Sequence, residues 1–479
     1  MKRVAIIGGG ISGLSAAFAL ENWRRAGVPL EYIVFESSSR LGGVMATDRV
    51  DGCLIEAGPD SFLSEKPWAI DLCRRIGLGG QLIGSNDRQR KTYILVKGKL
   101  VLMPDGLMFM VPTKILPILF SPLFSFATKL RMAREWFRLP RASPDDESVA
   151  AMVERHYGQE MVDRLVDPLL AGVYGGRASS LSVRAVLPRL AEMESLHGSL
   201  GRAMLAARSR MAAASKAFPG SLFTSLKAGM QQMIDALVAY LSPSSLAANR
   251  RVTGIRPGPE GWTLSWGEIA DHFHGVILAV PAWSASALLE ACSPQLAQEL
   301  GGIAYTSSVT VTLGYDQKVR SLLPAGFGFL VPRGEGKHML AATFVHNKFP
   351  HRAPADRALV RCFLGGAGGE EVMDFSDDEI LRIVRDELKQ IIAVRADPLF
   401  ARVYKWKRAM AQYGVGHLQR VERIERFCRA WPALALAGNA YNGIGVPDCV
   451  RTGSGAAEQV LNSLGLRPPL GAGKISQPV

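Results

Sequence analysis

Three glycines near the start of the chain have the spacing of a phosphate-binding turn. Gly8, Gly10 and Gly13 follow a short apolar run at residues 3–7 in the pattern G-x-G-x-x-G. In this pattern the first glycine permits a tight turn, the second lets the backbone approach a pyrophosphate, and the third allows close helix packing. The free amides and the dipole of the following helix favour the phosphate charge. The motif therefore predicts a dinucleotide site.

The next predicted strand, residues 32–35, ends at an acidic residue, Glu36. A carboxylate at this position can accept hydrogen bonds from ribose hydroxyls, and it disfavours a 2′-phosphate. The strand, helix and strand together form a right-handed βαβ unit with both strands in one parallel sheet. This combination is far more specific than the glycine pattern alone.

Two further glycine-rich segments distinguish FAD from NAD. Arg40-Leu41-Gly42-Gly43 follows Glu36 at once, and residues 438–448 form a second strand, glycine-rich turn and helix start at the other end of the chain. A helix N-terminus at the pyrimidine edge of a flavin stabilises the negative charge of the reduced ring. NAD needs no such second site. The sequence therefore predicts an FAD-dependent oxidoreductase whose cofactor contacts both ends of the chain.

The remaining elements predict a mixed α/β fold: a Rossmann-like FAD-binding domain, a mixed-sheet substrate domain and a helical insertion. Apolar runs at 309–313 and 327–331 indicate the second sheet, and prolines within 107–127 favour short helices over one spanning helix. The predicted limits are 1–94, 211–265 and 426–479 for the FAD-binding domain, 95–210 for the insertion and 266–425 for the substrate domain.

The 479 residues carry 13 more basic than acidic side chains. Such a surplus suits nucleic acid, an anionic membrane surface or an acidic small molecule. No nucleic-acid-binding motif is present, so nucleic acid is not expected. The apolar stretch from Leu107 to Arg134 contains no acid and several bases, which indicates a bilayer surface, the wall of a substrate cavity, or both.

Neither metal binding nor disulfide bonding is expected. The six cysteines are scattered without a C-x-x-C pair, and His272 and His274 have no accompanying ligand cluster. Reduced thiols and the absence of a leader before the first strand predict a cytoplasmic protein. A peripheral position on the inner face of the cell membrane stays open, as does the choice between monomer and homodimer.

Longer motifs give the chain a resemblance to a known family. They are E-A-G-P-D-S-F at 56–62, K-T-Y-I at 91–94 with M-P at 103–104, P-L-L-A-G-V-Y-G-G at 168–176, L-S-V-R-A-V-L-P-R-L at 181–190, H-G-S-L at 197–200 and the run at 438–448. With these motifs the chain resembles the protoporphyrinogen oxidases, a branch of the amine-oxidase-like flavoproteins, over nearly its whole length.

The resemblance implies a fold, a reaction and a set of FAD contacts. The reaction removes six electrons from a porphyrinogen, molecular oxygen reoxidises the flavin, and hydrogen peroxide forms in each cycle. The implied helical insertion is membrane-associated. The implied contacts are Gly8, Gly9, Gly10, Ile11, Ser12, Gly13, Leu14, Glu36, Ser37, Arg40, Gly43, Gly58, Pro59, Asp60, Ser61, Val252, Trp406, Val446, Pro447 and Asp448.

No Ser-His-Asp set and no paired-carboxylate signature is evident, which suits hydride abstraction by a flavin in an apolar slot. Arg90, Lys91 and Arg177 are candidate anchors for substrate propionates, although each is also interpretable as a surface cation. Arg177 stands where the family usually has an acidic or polar residue. We expect protoporphyrinogen as the substrate, with coproporphyrinogen as the alternative. An amine oxidase, a carotenoid desaturase and a non-catalytic flavin protein are more distant alternatives.

Overall fold

The computed structural model of the protein describes residues 1–108, 110–141, 145–214 and 221–467, so the end of the predicted segment 426–479 lies outside the described residues. The strands are β1 (Lys2–Ile7), β2 (Leu30–Phe35), β3 (Thr47–Val50), β4 (Cys53–Glu56), β5 (Phe62–Leu63), β6 (Leu82–Gly84), β7 (Thr92–Val96), β8 (Lys99–Leu102), β9 (Leu107–Met108), β10 (Val111–Pro112), β11 (Phe223–Leu226), β12 (Leu246–Ala247), β13 (Gly254–Gly258), β14 (Gly261–Trp266), β15 (Ile269–Phe273), β16 (Gly275–Leu278), β17 (Tyr305–Asp316), β18 (Gly328–Leu330), β19 (Met339–Phe344), β20 (Arg357–Gly365), β21 (Phe400–Ala411) and β22 (Leu434–Leu436).

The α-helices are α1 (Ile11–Arg25), α2 (Trp68–Arg75), α3 (Ile115–Phe120), α4 (Phe126–Glu135), α5 (Val149–Tyr157), α6 (Gln159–Met161), α7 (Asp167–Tyr174), α8 (Val183–Val186), α9 (Pro188–His197), α10 (Leu200–Ala214), α11 (Gln231–Tyr240), α12 (Ala282–Leu289), α13 (Pro294–Gly301), α14 (Gln317–Leu322), α15 (Val345–Lys348), α16 (Asp377–Ile392), α17 (His417–Arg429) and α18 (Val446–Ser463).

A five-stranded sheet carries the glycine motif, in the order β12-β2-β1-β16-β22. Each neighbouring pair of strands is parallel. Residues 4–7 of β1 are all buried, as expected for a strand covered on both faces. Because α1 follows β1 and α18 is the next helix after β22, both helices begin at the carboxyl edge of this sheet. The predicted Rossmann-like architecture is confirmed.

Glycines let the two helices of this domain approach closely. A Cβ atom on Gly453 of α18 would lie 2.1 Å from the carbonyl oxygen of Ser12 in α1. A Cβ atom on Gly13 would lie 1.9 Å from the carbonyl oxygen of Gly8. Any larger residue would therefore push α1 away from α18 or from its own turn.

A seven-stranded sheet, in the order β21-β17-β20-β19-β18-β7-β8, confirms the predicted second, mixed sheet. Only the β18–β7 pair within it is parallel. Its buried face packs against α16 through an apolar cluster that includes Val311, Val360 and Val384.

Three strands lie outside the sheets that the predicted domain limits imply. β7 and β8 cross the predicted limit at residue 94 and belong to the mixed sheet, while β16, within the predicted segment 266–425, lies between β1 and β22. A short apolar run gives no sign of which distant strand it will pair with, which is the physical reason for this difference. The domain limits themselves stay predictions.

Short helices fill the segment between β10 and β11, as the prolines predict. No helix of the described residues is both long enough and apolar enough to cross a membrane. A buried polar network joins three of these helices: the two ring nitrogens of His156 lie 3.1 Å from Glu135 and 3.0 Å from Glu194. Glu135 also accepts hydrogen bonds from the hydroxyl of Ser199 and the amide of Leu200, and thereby caps α10. This contact accounts for the H-G-S-L motif in structural terms.

Candidate flavin site

The glycine turn between β1 and α1 is open on the side where a phosphate would approach. Gly8 has a φ of +109°, and a Cβ atom there would lie 2.4 Å from the carbonyl oxygen of Ala279, so only glycine fits. A Cβ atom on Gly10, by contrast, would meet nothing within 4 Å. Gly10 is the N-cap of α1, and Ile11 to Leu14 form its first turn. The backbone amides of Gly10 and of that turn can therefore face a pyrophosphate.

Glu36 lies directly beside this turn. One carboxylate oxygen accepts the Gly9 amide at 2.9 Å, and the other accepts the Ser38 amide at 2.8 Å and the Ser38 hydroxyl at 2.9 Å. The neighbouring Ser37 is exposed. A backbone hydrogen bond from Arg250 to the Glu36 carbonyl oxygen (2.8 Å) brings in the segment that contains the buried Val252. Four of the predicted FAD contacts thus lie in the segments around the Glu36 carboxylate: Gly9, Glu36, Ser37 and Val252.

The Gly42-Gly43 pair forms the second wall of the turn. The Gly42 amide donates to the Gly9 carbonyl oxygen at 2.8 Å, and a Cβ atom on Gly43 would lie 3.3 Å from Gly10 Cα. Arg40 fixes this pair through hydrogen bonds to the carbonyl oxygens of Leu41 (3.0 Å), Met45 (2.8 Å) and Gly43. Arg40 therefore holds the backbone of this pair in place, and its contact with FAD stays a prediction.

Segment 57–61 packs against the mixed sheet. The Ala57 carbonyl oxygen accepts hydrogen bonds from the Trp406 indole (2.8 Å) and from the hydroxyl of Thr310 (3.0 Å). Asp60 forms an ion pair with Lys348, at 3.0 and 2.9 Å from its two oxygens. Burial would raise the pKa of Asp60, but the charges of Lys348 and Arg361 outweigh burial and hold that pKa well below its usual range. The charged form of Asp60 is therefore stabilised by its cationic neighbours.

The closing helix α18 begins at Val446, within the segment 438–448 that is predicted to contain its start. Asp448 caps it by accepting the Gly445 amide at 3.3 Å, and Lys66 binds both oxygens of that carboxylate at 2.8 and 2.6 Å. Asp448 is 5% exposed and Lys66 is 40% exposed. The Asp448 carboxylate at the N-terminus of α18 is thus paired with Lys66. The first backbone amides of the helix stay available to an acceptor such as a flavin carbonyl.

Two residues that the sequence analysis missed support the turn before α18. The Tyr413 hydroxyl accepts the Gly443 amide and donates to the Asn439 carbonyl oxygen, both at 2.8 Å. His417 stacks on Tyr413 with 4.0 Å between the ring centroids, and its Nε2 lies 3.0 Å from the Tyr441 carbonyl oxygen. Burial lowers the pKa of His417, so the neutral ring donates to that oxygen. The only sequence signal was the aromatic and histidine pair directly after a long strand.

The three candidate propionate anchors are exposed and do not share one rim. Arg90 and Lys91 directly precede β7, whereas the Arg177 Nε donates to the Ala367 carbonyl oxygen (3.2 Å) beyond the end of β20. The strand register aligns Thr92 with Arg361 across three strand spacings. With strands ~4.8 Å apart and ~3.3 Å per residue, Thr92 at the start of β7 lies about 20 Å from Gly365 at the end of β20. The cations therefore occupy two ends of the mixed sheet.

These surroundings fit FAD. The open backbone at Gly10 suits a pyrophosphate, the Glu36 carboxylate suits a ribose, and the start of α18 suits an electron-rich ring edge. All three elements lie at the carboxyl edge of one parallel sheet, where such folds bind dinucleotides.

Comparisons with known proteins agree with this geometry. The family described as flavin containing amine oxidoreductase matches residues 11–461. The coproporphyrinogen III oxidase of Bacillus subtilis (strain 168) is 32% identical and covers 97% of this chain and 98% of its own length. Protoporphyrinogen oxidase 2 of Arabidopsis thaliana is 28% identical and covers 97% and 94%.

A solved structure of a provisionally named protoporphyrinogen oxidase from Exiguobacterium sp. 255-15 superposes with a TM-score of 0.85 and 30% identity, over 97% of this chain and 99% of its own. The resemblance found in the sequence is confirmed, and FAD is the cofactor of this fold. The chain belongs to the flavin-containing amine oxidoreductases.

Proposed function

We propose that the protein oxidises a porphyrinogen to a porphyrin with FAD as the electron acceptor. The observation that carries the proposal is that contacts join both glycine-rich segments to segment 57–61 and to the strand that carries Trp406. Trp406 binds the Ala57 carbonyl oxygen, a Cβ atom on Gly58 would lie 2.0 Å from the Val44 carbonyl oxygen beside the Gly42-Gly43 pair, and the Asn439 side chain donates to the Ala409 carbonyl oxygen of β21 at 3.1 Å. Bound FAD supplies the acceptor for one hydride per cycle. Three cycles remove six hydrogens from the macrocycle, and three molecules of oxygen leave as hydrogen peroxide.

The residues of the chain position the reactants and supply no nucleophile. Trp406 fixes the Ala57 carbonyl group, Tyr413 holds the turn before α18, and the helix start stabilises negative charge next to it. Asp60 is paired with Lys348, and the lowered pKa of its carboxyl makes it a weak base. The protons released from the macrocycle nitrogens therefore leave by way of water, with no dedicated side-chain base in this proposal.

The sequence alone favours protoporphyrinogen, because few cations are evident and two propionates need only one basic rim. The structure places the candidate cations at two ends of the mixed sheet, which suits a substrate with carboxylates on several sides. The relative from Bacillus subtilis is named a coproporphyrinogen III oxidase, as are those from Staphylococcus aureus and Propionibacterium freudenreichii. We therefore propose coproporphyrinogen III as the preferred substrate and keep protoporphyrinogen as the second candidate.

Parallel assays with the two porphyrinogens, prepared under conditions that suppress autoxidation, decide between them. We expect a higher kcat/KM for coproporphyrinogen. Arg177→Gln should raise KM for coproporphyrinogen more than for protoporphyrinogen and leave kcat unchanged, since the anchor binds and does not react. The matched control is Arg382→Gln, an equally exposed arginine on α16. A higher kcat/KM for protoporphyrinogen would restore the sequence-based choice, and no turnover of either would remove the proposed activity.

We further propose that the outer helical face binds an anionic membrane surface. This face is defined by Leu116, Phe120, Phe126 and Phe137, which are 68%, 81%, 77% and 83% exposed. No aspartate or glutamate occurs between residues 105 and 135, while several lysines and arginines do. Exposed apolar side chains flanked by cations are typical of helices that lie on a bilayer.

Sedimentation with vesicles tests this face. Binding should need anionic lipid, weaken as salt is added, and fall in Phe120→Ser/Phe137→Ser. Leu322→Ser is the control, because Leu322 is 63% exposed on α14, outside this face. Binding that is absent or indifferent to lipid charge would leave only a role in the wall of the substrate cavity.

A further inference from the structure

Five charged side chains surround the backbone of segment 56–60. The Arg352 guanidinium donates to Glu56 at 2.5 Å, the Arg361 guanidinium donates to the Gly58 carbonyl oxygen at 2.5 Å, and Lys348 binds Asp60. Three cations and two carboxylates give this cluster a net charge of +1. Arg352 and Glu56 are almost fully buried, with 1% and 4% of their side chains exposed.

A small internal cavity lies within this cluster. Its volume is about 10 Å³, the room that one water molecule needs. Its lining combines an apolar part with polar groups of Glu56, Asp60, Thr312, Arg352 and Arg361. The hydroxyl of Thr312 and the Nε of Arg361 are buried and have no hydrogen-bond partner among the described residues.

Unpaired buried polar atoms are costly, and two of them beside one cavity indicate a missing partner. A candidate ligand must accept from the N–H of Arg361 and also bond to a hydroxyl. A metal cation is excluded by the neighbouring guanidinium groups, and a chloride ion needs more room and would face two carboxylates. Water has the right size and can both accept and donate.

We propose that one ordered water molecule occupies this cavity and joins Arg361 Nε to the Thr312 hydroxyl. Its second hydrogen is then available to a carboxylate oxygen of Glu56 or Asp60. The water completes the hydrogen bonds of a guanidinium whose other end fixes the carbonyl group of Gly58. Its effect on cofactor binding rests on the proposed flavin site, since segment 58–61 is among the expected FAD contacts.

The first test is a crystal structure of the FAD-loaded protein at a resolution that shows ordered water. We expect a density peak within hydrogen-bond distance of both Arg361 Nε and Thr312 Oγ1. The peak should remain in Thr312→Ser and disappear in Thr312→Val, which has a similar shape without the hydroxyl. Well-ordered side chains around an empty cavity in the wild type would overturn the proposal.

Cofactor affinity gives a second measurement. We expect Thr312→Val to raise the Kd of FAD by about threefold to tenfold, the effect of one lost hydrogen bond between neutral groups. Thr312→Ser should stay within twofold of the wild type. An unchanged affinity in Thr312→Val, with the peak present in the wild type, would overturn the link to the flavin. Failure of the wild type to bind FAD would instead refute the proposed function, because the water peak can be sought in the apoprotein.

Discussion

Replacement of Glu36 by alanine tests whether the carboxylate beside the glycine turn holds the cofactor. In the structure this carboxylate accepts the amides of Gly9 and Ser38 and the hydroxyl of Ser38. Ribose hydroxyls would add to these hydrogen bonds, since two carboxylate oxygens have about four acceptor sites between them. The substitution therefore removes the ribose acceptor and two supports of the turn.

The expected loss follows from these contacts. A hydrogen bond to a charged group contributes about 1.5–3 kcal/mol, so the net loss of one such bond raises the Kd of FAD about tenfold to 150-fold. Because Glu36 is only half-buried, we expect a value toward the lower end of this range. Loss of order in the glycine turn would add to the effect and would also lower the thermal stability of the apoprotein.

The assay is titration of apoprotein with FAD, followed by the change in flavin fluorescence. The matched control is Glu31→Ala, an exposed acid on the same strand at the end away from the turn. Apoprotein melting curves separate a damaged turn from a lost ribose contact. If Glu36→Ala binds FAD within twofold of the wild type, the assignment of Glu36 is wrong. A protein that binds NAD and not FAD would refute the cofactor itself.

Three further predictions concern the supports of the site. Tyr413→Phe removes both hydrogen bonds to the turn before α18 and should raise the Kd of FAD about fivefold or more, while Tyr93→Phe, at the edge of the mixed sheet, should not. Arg352→Met should lower the unfolding free energy by about 3–5 kcal/mol in urea, and the added change Glu56→Leu should restore most of it. Burial opposes the charge of His156, but its two carboxylate partners outweigh burial and raise its pKa. This stabilisation is complete below pH ~6.5 and is lost as the pH rises through the higher folded pKa. The difference in unfolding free energy between wild type and His156→Gln, measured in urea, should therefore be larger at pH 6 than at pH 9.

The parts of the site that depend on local sequence could be predicted. The turn at Gly8 to Gly13, the acid at Glu36 and the start of α18 each follow from a short pattern whose geometry is set within a few residues. The parallel sheet also followed, because a βαβ unit has one favoured handedness. The sequence marks Tyr413 only as an aromatic residue that follows a strand and does not indicate its role.

The ion pairs of the site could not be predicted. Lys348 and Asp60 are 288 residues apart in the chain, and Lys66 and Asp448 are 382 apart. No periodicity or spacing links such pairs, because a tertiary fold brings them together. The distance between the candidate propionate anchors could not be predicted for the same reason. Arg177 and Lys91 lie at different ends of a sheet whose strand order the sequence does not reveal.

The motif at residues 56–62 links the mixed sheet to the segment beside the glycine turn. Its two acids are each held by a cation from the segment between β19 and β20, and two of its carbonyl groups accept hydrogen bonds from β17, β20 and β21. A mixed sheet that shifted against this motif would leave Glu56 and Asp60 without their buried cationic partners, at a cost of several kcal/mol for each pair. The motif is therefore fixed on the mixed sheet. On its other side it contacts the segment that follows the Gly42-Gly43 pair, because a Cβ atom on Gly58 would lie 2.0 Å from the carbonyl oxygen of Val44. The contacts of this one motif thus link the walls of the glycine turn to the strand that carries Trp406.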